Sequence, residues 1–361
     1  MINVTKSYLP PIERYTKYLR QIWKSNQITN NGALLIKLEN RLKKFLGVKH
    51  LFLITNGTIA LQMAIKALDL KGEIITTPFS YVATTSSLVW EGCTPVFADI
   101  DPLTLTIDPS KIVEKISPKT TAILATHVYG NVCDVETIKR IAQKYHLKVI
   151  YDAAHSFGVK YKGKSVLRYG DISVLSFHAT KLFHTVEGGA IVTGDNATAA
   201  KVNVMRHFGH KTPESFFGLG INGKNSEFHA AMGLSMLPEV PKIVRRREKL
   251  SRLYDQLLLI RPNIKRPQIR QHTVYNYAYY PVIFESEKIL LKVTKALNSK
   301  NIFPRRYFYP SLTKLPYVDK SSAIVSDDIA TRIMCLPLYF DLEVSQIRQI
   351  CKIVLKEVKS E

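Results

Sequence analysis

Three stretches of the chain carry side chains whose types and spacing can do chemistry. Asn56-Gly57-Thr58 follows one apolar run and precedes a helical pattern. Asn-Gly permits a tight turn, and the free N–H groups of a helix start, with the positive end of its dipole, make a site for a phosphate. Tyr151-Asp152-Ala153-Ala154-His155 ends a second apolar run. An acidic residue followed by small ones can aim its carboxylate into a crevice above a sheet. Ser176-Phe177-His178-Ala179-Thr180-Lys181, then Glu187-Gly188-Gly189-Ala190, puts a lysine in a polar turn between two apolar runs. Such a lysine can lose its proton through desolvation or neighbouring positive charge and act as a nucleophilic amine. Each stretch alone has a bland reading: an ordinary α/β turn, an N-capping Asp with a satisfied His behind it, a solvated lysine.

Together they change the odds. A phosphate cradle, an Asp and a Lys 29 positions further on (181 − 152 = 29) match the parts required by pyridoxal 5′-phosphate (PLP). That cofactor needs an anion site, a carboxylate on its pyridine nitrogen and a lysine for imine attachment. The carboxylate keeps the ring nitrogen protonated, so the ring can accept the electrons left when a Cα proton is removed. No G-x-x-x-x-G-K-[ST] or G-x-G-x-x-G run accompanies the first stretch, so ATP and dinucleotide readings lose support.

The elements that must position these residues are legible as alternation. Short runs rich in β-branched residues predict strands at His50–Ile54, Glu73–Thr77, Pro95–Ile100, Thr121–Thr126, Lys148–Asp152, Ile172–Phe177 and Ala190–Thr193. Helical patterns such as Thr58–Leu68 and Val135–Tyr145 lie between most of them. The alternation predicts an α/β fold with a mostly parallel sheet between helices, in which function gathers at the carboxyl ends of strands. Beyond about residue 240 the pattern changes to a long basic helix, a Pro-punctuated region with Tyr275, Tyr277, Tyr279 and Tyr280, and a final helix near Val344–Lys356. The expected division is a large domain over 1–240 and a small C-terminal domain over 241–361. The segment before about residue 30, with Pro10-Pro11, is expected to pack away from the large sheet as an extension.

Composition bounds the rest. The 361 residues, 46% apolar and 22% charged, describe a globular chain with a substantial core rather than a disulfide-stapled miniprotein or a disordered tail. Cys93, Cys133, Cys335 and Cys351 form neither a C-x-x-C pair nor a Cys/His cluster, so no metal site is expected. No apolar run reaches the ~18 residues of a bilayer span and no signal pattern opens the chain, which sets a cytoplasmic expectation without a membrane partner. The net charge of +22 points to polyanionic partners: nucleic acid, an acidic membrane surface or phosphate-bearing substrates.

The motifs resemble those of the DegT/DnrJ family of PLP-dependent sugar aminotransferases, over nearly the whole chain. The carriers are Asn56-Gly57-Thr58, Pro78-Phe79-Ser80-Tyr81-Val82-Ala83-Thr84, His127-Val128-Tyr129-Gly130, Asp152-Ala153-Ala154-His155, Ser176 to Lys181, Glu187-Gly188-Gly189-Ala190 and Gly220-Ile221-Asn222-Gly223. The resemblance implies PLP fold type I, like aspartate aminotransferase: a mixed, mostly parallel sheet in the large domain and a smaller C-terminal α+β domain. It implies that Lys181 attaches the cofactor and, once freed by the amino donor, shuttles a proton. It also implies that Asp152 pairs with the pyridine nitrogen and that Gly57, Thr58 and Ser176 hold the phosphate. Tyr81 takes the place of the aromatic that stacks on the ring, and His155 lies near its 3′-oxygen edge. Asn222 is implied to reach the phosphate from the neighbouring subunit of a homodimer, making the active site composite. His184 and Lys224-Asn225 stand where close relatives have other residues, in regions of subunit contact and sugar pocket.

Family members act on nucleotide-linked keto-sugars, usually with L-glutamate as donor, to make amino sugars for lipopolysaccharide (O-antigen) or antibiotics. Arg305-Arg306-Tyr307-Phe308-Tyr309-Pro310 is a candidate anion site, with Arg306 and Tyr309 as substrate contacts; its bland reading is a packed aromatic loop. The wording Ser-Phe-His-Ala-Thr-Lys and Tyr-Gly-Asn-Val-Cys-Asp is most similar to the group that converts dTDP-4-keto-6-deoxy-D-glucose to the 4-amino sugar; similar relatives aminate the 3-keto isomer. A third reading, a basic PLP-fold nucleic-acid-binding regulator, is motivated by Arg245-Arg246-Arg247, but no winged or helix-turn-helix appendage supports it.

Overall fold

The computed structural model describes residues 1–358. Its central sheet has seven strands: β1 (His50–Ile54), β2 (Glu73–Thr76), β3 (Thr94–Phe97), β4 (Thr120–Thr126), β5 (Lys148–Asp152), β6 (Ile172–Ser176) and β7 (Gly189–Thr193), in the spatial order β1-β7-β6-β5-β4-β2-β3. Every neighbouring pair is parallel except those of β7, which runs antiparallel to both β1 and β6. The sheet is therefore mixed and mostly parallel, with helices on both faces.

Strand alternation sorts the side chains. Ile123, Ala125, Val149, Tyr151 and Leu175 enter one apolar cluster. Their neighbours Ala122, Leu124, Ile150, Ile172 and Val174 enter another, on the opposite face, with Ala60, Leu61 and Ala64 of the helix Gly57–Ala67. The same period puts Thr126, Asp152 and Ser176 on the face of Ile150, at the carboxyl ends of β4, β5 and β6. Three polar groups thus collect at one edge of an otherwise apolar face. β3 ends at Phe97, earlier than expected, because the chain turns there: Asp99 leaves the sheet and its carboxylate accepts the Val325 and Ser326 N–H groups at 2.8 and 2.9 Å.

The C-terminal part has its own two-stranded antiparallel sheet, β8 (Tyr280–Ile283) with β9 (Ile333–Leu336), covered by the helices Glu287–Asn298 and Val344–Val358. Its apolar cluster takes Leu250, Tyr254 and Leu258 from the helix Val240–Leu258, and also Ile2 from the start of the chain. Ile2 and Asn3 pair in parallel with Ile302 and Phe303. The N-terminal segment does not stand apart from the large body either. The helix Ile12–Ser25 is amphipathic, and its Tyr18 and Ile22 join the cluster that holds Leu51, Val149 and Tyr151. Of the Arg245-Arg246-Arg247 cluster, Arg246 donates to the carbonyls of Phe340 and Leu342, and buried Arg247 donates to that of Ala278 at 3.0 Å. These two arginines tie the long helix to its neighbours instead of forming a basic surface. No helix among the described residues is long and apolar enough to cross a membrane.

Candidate active site

A cavity of about 660 Å³ opens over the carboxyl ends of the parallel strands. Gly57, Thr58, Tyr81, Asp152, His155, Ser176 and Lys181 all line it. The helix Gly57–Ala67 points its N-terminus there, capped by Asn56, whose side chain accepts the Ile59 N–H at 2.9 Å. A Cβ added at Gly57 would sit 3.1 Å from the Ser176 Cβ, so glycine keeps the space between helix start and serine open. β7 begins at the same edge. A Cβ at Gly189 would lie 2.6 Å from the Asn56 carbonyl, so only glycine lets β7 pass this close to the turn.

Asp152 is buried. Its Oδ2 accepts the Thr84 hydroxyl at 2.7 Å, and its Oδ1 accepts the Ala154 N–H at 3.1 Å. The Thr84 hydroxyl also meets Ser80 Oγ at 2.7 Å, which meets Thr126 Oγ1 at 3.0 Å. Burial pushes the Asp152 carboxyl above the ordinary carboxylate range, while the Thr84 and Ala154 hydrogen bonds and the charge of Lys181 pull it down.

Lys181 sits in the loop between β6 and β7. Phe177 N–H donates to the Gly188 carbonyl at 2.7 Å, Thr185 N–H to the Phe177 carbonyl at 3.0 Å, and Lys181 N–H to that of His178 at 2.9 Å. Phe177 and Phe183 are fully buried, and Phe183 stacks on Phe157 at 4.6 Å. These contacts anchor the loop so that the lysine projects into the cavity. Its Nζ lies 3.4 Å from the Tyr279 hydroxyl. Burial holds this amine below the usual lysine value, with Asp152, Tyr307 and Tyr81 pulling the other way.

His155 is held in one tautomer. Its Nδ1 accepts the Tyr129 N–H at 3.2 Å, so the neutral ring carries its proton on Nε2. Burial, then Lys181, keeps the ring well below the usual histidine value and therefore uncharged. Tyr129 and Gly130 both take positive φ, 57° and 91°. A Cβ at Gly130 would meet Asn276 Oδ1 at 2.7 Å, and Asn276 donates to the His155 carbonyl at 2.9 Å. The His127-Val128-Tyr129-Gly130 motif is thus scaffolding that orients His155.

Three expected residues lie elsewhere. Asn222 is outside this chain's cavity, its Oδ1 accepting from Lys224 Nζ at 2.7 Å. Arg306 and Tyr309 pack on each other, the guanidinium 3.4 Å from the ring centre. Arg306 is also spent on Glu287 at 2.6 Å and the Thr331 carbonyl at 2.8 Å. Its neighbour Arg305 lines the cavity instead, with Tyr307 beneath its guanidinium at 4.6 Å. Sequence reasoning did not single out Arg305, Thr84 or Tyr279 as site residues. Tyr307 and Phe308 line the cavity as well, so no simple alternation along 305–309 separates Arg305 from Arg306.

This arrangement brings a buried carboxylate, a desolvated amine and an anion cradle into one cavity. Residues 12–355 match the model of the DegT/DnrJ/EryC1/StrS aminotransferase family. The chain belongs to this family. It is 44% identical, over 99% of both chains, to a dTDP-4-amino-4,6-dideoxy-D-glucose transaminase of Shigella dysenteriae. Among solved structures, DesI in the presence of its TDP-sugar product superposes with a TM-score of 0.94 at 30% identity, over 99% of this chain and 93% of that one. NtdA of Bacillus subtilis with bound cofactor PMP superposes with a TM-score of 0.90 at 25% identity, over 97% and 82%. The family, its aminotransferase architecture and its transaminase relatives make this chain a sugar aminotransferase.

Proposed function

We propose that the chain is a PLP-dependent transaminase that moves the amino group of L-glutamate to C4 of dTDP-4-keto-6-deoxy-D-glucose. The observation that carries the reading is the shared cavity of Asp152, Lys181 and the Gly57/Ser176 cradle. The residues fit the cofactor. The cradle at the helix start is one that a Cβ at position 57 would fill, and it suits a phosphate. The buried Asp152 carboxylate, raised by desolvation, calls for a cationic partner such as a pyridinium. The relatives named above support the same assignment.

When bound, PLP supplies an aldehyde for amines and a protonated ring that takes up an electron pair. The chain's own residues do the rest. Gly57, Thr58 and Ser176 hold the phosphate. Asp152, fixed by Thr84 and Ala154, keeps the ring nitrogen charged. Tyr81, at the start of the helix Val82–Trp90, and the uncharged His155 bound the ring. Lys181 Nζ, whose proton affinity burial lowers, accepts in its neutral form a proton from the amino-bearing carbon of the donor and later returns one to the sugar carbon. Arg305, facing the cavity, offers a charge to the diphosphate in place of Arg306 and Tyr309. Asn222, outside its own cavity, would serve that of a second copy in a homodimer.

The test is to offer the 4-keto and 3-keto dTDP-sugars separately with L-glutamate and assign the ring carbon of the new amine by NMR. Amination at C4 supports the reading. Amination of the 3-keto isomer alone, or of neither sugar, overturns it.

A further inference from the structure

Lys181 must hold and release protons at the wall of the cavity, which raises the question of what satisfies its amine when it is free. In the structure the hydrogen-bond partner of its Nζ is the Tyr279 hydroxyl, at 3.4 Å. Tyr279 is fixed from several sides. Its ring meets His155 edge-on at 4.9 Å, Tyr307 at 5.6 Å and Tyr129 at 5.8 Å. The preceding Ala278 carbonyl is held by Arg247 at 3.0 Å, and the Ala278 N–H donates to Asn276 Oδ1 at 3.2 Å. The hydroxyl is thus placed by backbone and ring packing independent of the lysine loop.

We infer that Tyr279 is a positioning residue that holds the Lys181 amine in line for proton transfer. The inference rests on the role of Lys181 in the function proposed above. A phenol suits both protonation states of the amine. Its oxygen accepts from an ammonium or amine N–H, and its O–H can donate to the lone pair of the neutral amine. Rotation of one hydroxyl hydrogen therefore serves a complete proton transfer with no heavy-atom movement. The groups facing the amine are Asp152, Tyr307, Tyr81 and Tyr279, with His155 uncharged beside them. None of the others is within hydrogen-bond distance of Nζ among the described residues.

The bond to the charged form is the stronger of the two, because one partner is ionised. Removing the hydroxyl in Tyr279→Phe should therefore lower the pKa of Lys181, by an amount on the order of half a unit to one unit. The first readout needs neither cofactor nor sugar: the rate at which acetic anhydride acylates Lys181 in the cofactor-free full chain, followed by peptide mass spectrometry from pH 6 to 10. The second is the pH profile of kcat in the loaded enzyme, in which kcat should fall about tenfold with KM for the sugar little changed. Tyr307→Phe, which removes a nearby hydroxyl that acts on the amine through charge and not through a hydrogen bond, should shift the acylation midpoint less than Tyr279→Phe. 3,5-Difluorotyrosine at 279 keeps the ring shape and restores the bond, so it should rescue kcat where Phe does not. An unshifted acylation midpoint in Tyr279→Phe, an equal shift in Tyr307→Phe, or a failure of the fluorinated residue to rescue overturns the inference. Because acylation is read without a sugar, a wrong substrate assignment would leave that readout untouched.

Discussion

Replacing Asp152 with Asn separates what the carboxylate does for the cofactor from what it costs the fold. The group is buried, and burial lifts its pKa in the folded chain. A carboxyl whose folded pKa exceeds its unfolded one adds stability below the unfolded value and loses it as pH rises through the folded value. Without a cofactor, the charged form is therefore a liability at neutral pH. Asparagine removes that charge and leaves the local bonds intact. The Thr84 hydroxyl lies 2.7 Å from Asp152 Oδ2 and 2.7 Å from Ser80 Oγ, so it can rotate to accept from the new amide and donate to Ser80. The amide oxygen still receives the Ala154 N–H, now 3.1 Å from Oδ1. The loss is the charge-assisted part of two hydrogen bonds, and the gain is an ion no longer desolvated. The balance favours the variant by about 1–2 kcal/mol, or about 1–3 °C in Tm for a chain this long. Calorimetry of the cofactor-free protein should show Asp152→Asn melting higher than wild type at pH 8, with the difference shrinking toward pH 4. Turnover should fall by a factor on the order of 10² to 10³. A variant that melts below wild type at pH 8, or that retains full turnover, refutes the reasoning.

Lys181→Ala should abolish turnover, a loss on the order of 10⁴-fold, and leave the purified protein without the absorbance of a lysine-bound cofactor; full activity in that variant would remove Lys181 from the chemistry. Gly189→Ala forces a Cβ to within 2.6 Å of the Asn56 backbone, so β7 or the phosphate turn must move; chemical denaturation should show a loss of about 1–3 kcal/mol, with weakened cofactor retention. The two neighbouring arginines should behave differently. Arg305→Ala should raise KM for the nucleotide sugar about tenfold with little change in Tm, and Arg306→Ala, which strips Glu287 and the Thr331 carbonyl of a partner, should lower Tm with little change in KM.

The sheet was legible because its strands are buried on both sides and bounded by turn residues, so their β-branched runs stand out from the helical segments between them. Lys148–Asp152 was found to the residue, and most other strands to within one or two. The site was legible for a related reason. In a parallel sheet the carboxyl ends of strands share one edge, so Asp152 and Ser176 had to converge once both were recognised as strand ends. Lys181 followed because a Gly pair seven residues beyond it marks the chain's return into the sheet. The segment with Pro10-Pro11 carries the helix Ile12–Ser25, which packs on the helix Glu227–Met236. The amphipathic stripe of Tyr18 and Ile22 decides that packing.

What stayed hidden depends on contacts between segments far apart in sequence. Arg305 and Arg306 are chemically identical and adjacent, and only the structure shows which faces the cavity. The choice is set by β9: Arg305 N–H and C=O pair with Cys335 at 3.1 and 2.8 Å, which fixes the strand-like run and turns Arg306 toward Glu287 and Tyr309. Glu227 makes the same point. As an isolated acid it reads as surface, yet its carboxylate is buried, accepting the Leu34 and Leu35 N–H groups at 2.8 Å each. It thereby satisfies the start of the helix Ala33–Leu46 in place of a local cap, and Gly32 leaves room for it, since a Cβ there would meet the carboxyl carbon at 2.4 Å. Tyr279 belongs with these two. Nothing in an aromatic run distinguishes the one hydroxyl that meets Lys181 from those that meet backbone, as Tyr275 meets the Tyr129 carbonyl at 2.9 Å. Local pattern therefore identifies the groups that end a strand, whereas Arg305 and Tyr279 arrive from the C-terminal third of the chain, where pairing partners decide which side chain faces inward.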